Sequence, residues 1–77
     1  MLRLIGGRIR KIREDKGWSQ EKLADECNLH RTYIGAIERG GRNITILNLI
    51  RVARALGITS SELLKGVDCI GQSEKND

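Results

Sequence analysis

Leu2, Ile5, Ile9 and Ile12 recur at spacings of three and four, while Arg8, Arg10 and Lys11 fall mostly outside that stripe. This is the period of a helix with one apolar face, and it predicts a first helix running to about Lys16, with Gly17 as a left-handed stop. Ser19 is a good N-cap for a second helix, with Glu21 in the first turn, where the helix dipole favours a carboxylate. Leu23, Ala24 and Cys27 form its inner face, and Asn28-Leu29 makes a short turn in which Asn tolerates the left-handed conformation. A third helix is predicted from about Arg31 to Arg39, with Ile34 and Ile37 inward and Gly40-Gly41 as its stop. A fourth is capped by Thr45 and carries Ile46, Leu49, Ile50, Ala53 and Leu56 on its apolar side, ending at Gly57. The fifth opens on Thr59-Ser60-Ser61-Glu62, a capping-box spacing, and carries Leu63 and Leu64 before Gly66.

Five short helices and no strand make the expected fold an all-α domain, compact around one core. Composition agrees: the 77 residues contain no Pro and no Phe, and the chain is rich in helix formers. The expected domain spans 1–66, and 67–77 is expected to be a polar, acidic tail that frays. A domain this small buries only about 60% of the surface its unfolded chain exposes, so its core is thin and a second copy or partner matters. The chain has no apolar run long enough to span a bilayer and no signal-peptide pattern, so a reduced cytoplasmic setting is expected, with no membrane partner. Cys27 and Cys69 make no zinc spacing and no second histidine supports His30, so neither metal nor cofactor is expected. Cys27 reads as a small buried hydrophobe and Cys69 as incidental.

The charge is uneven. Residues 1–66 hold thirteen Lys and Arg against seven Asp and Glu, a surplus of six, whereas 67–77 have a deficit of two. A basic domain points to nucleic acid or another polyanion, although a surplus of this size also serves solubility alone.

The interval between the second and third helices narrows the choice. Two short helices joined by about four residues match a helix-turn-helix. Ala24 is small enough for the helices to approach closely, and Leu29 plugs the core at the turn. Thr32, Gly35, Ala36 and Arg39 stand at i, i+3, i+4 and i+7, one stripe opposite Ile34 and Ile37. Small residues in the middle, with Arg31 and Arg39 at the ends, suit a helix entering the major groove. There arginine pairs bidentately with guanine, and small apolar groups meet thymine methyls. Gly35 costs about 1 kcal/mol against Ala in a helix interior. Either something must come close to it, or it is merely tolerated.

The runs Gly17-Trp18-Ser19-Gln20-Glu21-Lys22-Leu23-Ala24, Tyr33 to Gly40, Leu56-Gly57-Ile58 and Glu62-Leu63-Leu64 resemble the helix-turn-helix domain of phage repressors and Cro over about residues 5–65. More narrowly, Leu29 to Ile34 and Glu38 to Thr45 resemble controller proteins of restriction–modification systems, which are small dimeric regulators. The resemblance implies a lambda-repressor-like domain and assigns roles. Gln20 would bind a phosphate through its amide. Arg31 would read bases with Thr32 beside it, and Gly35, Ala36 and Arg39 would complete the base-facing stripe. Tyr33 would reach a phosphate, or else be a half-buried ring on the helix flank. Arg42 and Asn43 would meet base edges or phosphates, Arg42 alternatively being a solvated loop cation. Arg13 and Glu38 match an ion pair tying the first helix to the third. Trp18 is expected to pack over the start of the second helix, and His30 to be a weak cap or a phosphate contact.

The leading expectation is a sequence-specific DNA-binding transcription regulator. It would act as a homodimer on a palindromic or pseudo-palindromic double-stranded operator, with RNA polymerase a candidate further partner. Leu47, Ile50, Leu64 and Val67 exceed what one inner stripe needs and form the expected dimer face, unless Leu64 and Val67 simply close the underside of the core. By resemblance, the regulated genes include its own and those of a restriction enzyme, activated at low concentration and repressed at high. The alternative is an antitoxin-type or prophage repressor module that binds a protein partner and autoregulates. No nucleophile–base pair or phosphate-cradling loop points to an enzyme.

Overall fold

The computed structural model describes residues 2–66. Over these it is all-helical: α1 (Leu2–Asp15), α2 (Gln20–Cys27), α3 (Arg31–Glu38), α4 (Ile46–Leu56) and α5 (Ser60–Leu64). Each of the last four helices starts on a side-chain cap. Ser19 Oγ accepts from the Lys22 N–H at 3.0 Å, Thr45 Oγ1 from Asn48 at 3.2 Å and Thr59 Oγ1 from Glu62 at 3.2 Å. His30 caps α3 through Nδ1, which accepts from the Thr32 N–H at 3.1 Å. These bonds satisfy backbone donors that the first helical turn leaves without partners.

One core joins all five helices. Ile5 and Ile9 of α1, Leu23, Ala24 and Cys27 of α2, Ile34 and Ile37 of α3, Leu49, Val52, Ala53 and Leu56 of α4, and Leu63 of α5 are buried together. Trp18 and Leu29 are half-buried against this cluster, Leu29 at the turn as expected. Burial also pushes the Cys27 thiol pKa up, disfavouring the thiolate.

The apolar side of α4 departs from expectation. Ile46 is 77% exposed and Ile50 36% exposed, whereas Val52 is fully buried. The buried stripe is therefore Leu49, Val52, Ala53 and Leu56, at i, i+3, i+4 and i+7. Ile46 belongs to the first turn, which overhangs the core.

Gly6 lies inside α1 and is buried where that helix crosses the end of α3. A Cβ there would overlap the carbonyl oxygens of Ile37 and Glu38, so only glycine permits this approach. Gly7, next to it, faces open space. From the same helix, Arg8 Nη1 donates to the Leu63 carbonyl at 3.0 Å and ties α1 to α5.

Candidate nucleic-acid interface

The turn between α2 and α3 is built by Asn28, whose φ of 57° is the left-handed conformation. The Leu29 N–H then donates to the Ala24 carbonyl at 2.9 Å, closing the end of α2 in a Schellman-type stop. The chain emerges extended at His30 and enters α3 directly. The turn thus holds the two helices in a fixed crossing, with α3 presenting its outer face.

A buried ion pair locks that crossing to α1. Arg13 donates from Nε to Glu38 Oε2 at 2.7 Å and from Nη2 to Oε1 at 3.0 Å, the parallel fork that guanidinium and carboxylate geometry favours. Arg13 Nη1 also donates to the Trp18 carbonyl at 2.7 Å, and Gln20 Nε2 donates to Glu38 Oε1 at 3.1 Å. The side chains of Arg13 and Glu38 are 10% and 2% exposed. The Glu38 hydrogen bonds, aided by its charge, raise the already high Arg13 pKa against the opposing effect of burial. Four residues from α1, the α1–α2 connection, α2 and α3 are thereby held as one unit.

Arg31 and Thr32 stand exposed at the start of α3, and Arg39, Arg42 and Asn43 are exposed at and beyond its end. Ala36 is half-buried between them. Gly35 departs from the expected open stripe, because it is buried. A Cβ there would lie 3.2 Å from Arg39 Nη1 and 3.4 Å from Gln20 Oε1. What comes close to Gly35 is the protein's own Arg39 guanidinium, one turn on, together with Gln20, which reaches across α3 to Glu38. Glycine at this position leaves room for that reach.

Tyr33 occupies the half-buried flank of α3. Its hydroxyl accepts from Asn48 Nδ2 at 3.2 Å, and the Arg42 guanidinium lies 5.4 Å from its ring centroid. The phenolic O–H remains free to donate. Asn48 was missed in the sequence, which offers no signal for it because its partner is fifteen residues away on another helix. Trp18 carries Lys16 and Lys22 over its ring at 5.1 and 5.6 Å, so its surroundings are cationic as well as apolar.

Glu21 Oε2 of α2 and Arg31 Nη1 of α3 are 3.4 Å apart. Both residues line an open depression between the two helices, with Ala24, Asp25, Leu29 and His30. Leu47 of α4 is 59% exposed and Leu64 of α5 39% exposed. With Ile46 and Ile50 they leave apolar surface open on both elements. Val67 and Cys69 lie outside the described residues. Among the described residues no helix is long and apolar enough to cross a membrane.

Comparison with known proteins gives this arrangement a family. A helix-turn-helix family model matches residues 9–63. The chain is 52% identical over 62 residues to the control protein C.BamHI of Bacillus amyloliquefaciens, covering 79% of this chain and 76% of that one. Its fold matches the restriction-modification controller protein C.AhdI of Aeromonas hydrophila with a TM-score of 0.79 and 45% identity, over 80% of this chain and 94% of that one. It also matches the controller protein C.Esp1396I, solved as a tetramer with its natural 35 base-pair operator, with a TM-score of 0.76 and 41% identity over 83% and 84% of the two chains. The chain belongs to the helix-turn-helix family.

Proposed function

We propose that this chain is a sequence-specific, homodimeric DNA-binding transcription regulator that controls its own gene and those of a restriction–modification system. The observation that carries the reading is the exposed start of α3. Arg31 and Thr32 project there from a helix held by the Asn28 turn and the Arg13–Glu38 fork, in a chain 52% identical to a control protein. Relatives of that kind favour this reading over the antitoxin-type alternative, and the chain is not an enzyme.

The residues take the following roles. Arg31 reads a base, with Thr32 and Ala36 on the groove-facing side, and Arg39 and Arg42 extend the contact from the end of α3. Gln20 and Asn43 hold phosphates, and Tyr33 adds its free O–H to a phosphate while Asn48 fixes its ring. Gln20 keeps one amide N–H for this purpose, the other being engaged by Glu38. Gly35 makes no base contact of its own and serves by making room for Gln20 and Arg39. Arg13 and Glu38 hold the geometry. Leu47, Ile50 and Leu64 form the face between two copies, and Val67, expected to join them, lies outside the described residues. The two-fold axis sets their recognition helices about 34 Å apart, one turn of DNA, so the operator is palindromic or nearly so. Such a regulator works in the cytoplasm, where its DNA is.

Selecting bound duplexes from a random pool tests this directly. The expected product is an inverted repeat whose half-sites are centred about one helical turn apart. A pool that shows no enrichment, while the folded protein still binds DNA at low salt, contradicts sequence-specific recognition.

A further inference from the structure

We infer that Glu21 is a positioning residue for DNA sequence discrimination, acting through Arg31. This rests on the reading of Arg31 as a base contact. Glu21 lies in the first turn of α2 and Arg31 is the first residue of α3, ten positions on, so their contact bridges the two helices of the motif. The carboxylate engages Nη1 at 3.4 Å. A guanidinium carries five N–H donors in a planar fork, so the Nε–Nη2 edge stays available for the paired O6 and N7 acceptors of guanine.

Glu21 thereby does two things at once. It restrains a long side chain whose rotamer freedom would otherwise be lost on binding. It also offsets the charge that would draw Arg31 to any phosphate. On random DNA the guanine acceptor pair is seldom in register with Arg31, and the contacts that remain are to phosphate oxygens, where the neighbouring carboxylate is repulsive. A cognate site offers the acceptor pair, which a half-neutralised but correctly aimed guanidinium still satisfies. Glu21 weakens the wrong contact more than the right one. The remaining carboxylates of α2 differ: Glu26 is engaged by Lys22 at 3.1 Å on its own helix, and Asp25 makes no ion pair among the described residues.

The test compares full-length wild type, Glu21→Gln, Arg31→Ala, the Glu21→Gln/Arg31→Ala double variant and Glu26→Gln. Each is titrated against two duplexes: one enriched from a random pool by the wild type, and a scrambled duplex of the same length and composition. Glu21 is 68% exposed and Arg31 66% exposed, and thermal unfolding by circular dichroism verifies that the variants fold. Glu21→Gln is expected to tighten binding to scrambled DNA and to lower the ratio of selected to scrambled affinity by roughly threefold to fivefold, the reach of one exposed ion pair. Glu26→Gln is expected to move both duplexes by the same factor. In the Arg31→Ala background, Glu21→Gln is expected to leave the ratio unchanged, because the group it acts through is gone. A Glu21→Gln effect equal on both duplexes, or one that persists without Arg31, overturns the inference while leaving DNA recognition intact. A wild type that does not discriminate the two duplexes overturns the functional reading itself, and this inference with it.

Discussion

Glu38 shows how much one side chain carries here. It is nearly without solvent and accepts from Arg13 twice and from Gln20 once. A buried pair adds little to stability beyond what a well-packed apolar pair would give, but removing one partner strands the other charge in a low-dielectric site. Glu38→Ala is therefore expected to cost about 3–5 kcal/mol in urea denaturation, most of the stability of a domain this small. Replacing both partners with apolar residues of similar volume, as in Arg13→Met/Glu38→Leu, is expected to cost much less. A Glu38→Ala loss below about 1 kcal/mol would show that water reaches Arg13 and that the fork does not hold the helices. The pair was legible in the sequence only through resemblance, since nothing in local spacing joins positions 25 apart. Gly35 differs from its expected open position in part for the same reason: it lies on the expected stripe, but Gln20 of α2, together with Arg39 at the end of its own helix, comes over it.

At the scale of helices, caps and stops were the most legible features because they are local. Ser19, Thr45 and Thr59 each accept from an N–H three residues on, and Asn28 takes the left-handed conformation expected of it. Less legible was which apolar stripe of α4 turns inward. Its sequence offers two, and periodicity alone does not rank them. Only packing against α1, α2 and α5 selects Leu49, Val52, Ala53 and Leu56. Packing also separates two adjacent glycines that look alike in the sequence. Gly6→Ala is expected to destabilise by about 1–3 kcal/mol, because the methyl meets α3 backbone that cannot rotate away. Gly7→Ala meets nothing and is expected to stabilise by about 0.5–1 kcal/mol, through the conformational entropy glycine loses in a helix. Thermal melts of the two variants should move in opposite directions. Equal shifts would contradict the close crossing of α1 over α3.

At the scale of the molecule, the all-α architecture was readable because every helix carried its own start and stop. The site was readable in part: exposure of Thr32 and Arg39 follows from the stripe opposite Ile34 and Ile37, whereas Arg31 flanks that stripe and Arg42 lies in the loop beyond α3. Cross-helix partners such as Asn48 for Tyr33 and Glu21 for Arg31 were not, because they depend on tertiary placement. The apolar surface left on α4 and α5 makes a further demand on the whole. With Leu47 and Leu64 exposed, association of two copies is expected at tens of micromolar, about −6 to −7 kcal/mol. Sedimentation should show a dimer that Leu64→Arg weakens by placing charge in the face. A wild type that stays monomeric over that range contradicts the assignment.

Recognition of a specific sequence through Arg31 is the central claim, and binding of Arg31→Ala to selected and scrambled DNA across a salt series tests it most directly. The guanidinium is expected to give two parallel hydrogen bonds to guanine, so its loss should cost about 1–3 kcal/mol on selected DNA and relax preference at one position per half-site. Scrambled DNA should be affected far less. If affinity instead falls equally on both duplexes and the salt slope flattens by about one unit, Arg31 holds a phosphate and does not read the sequence.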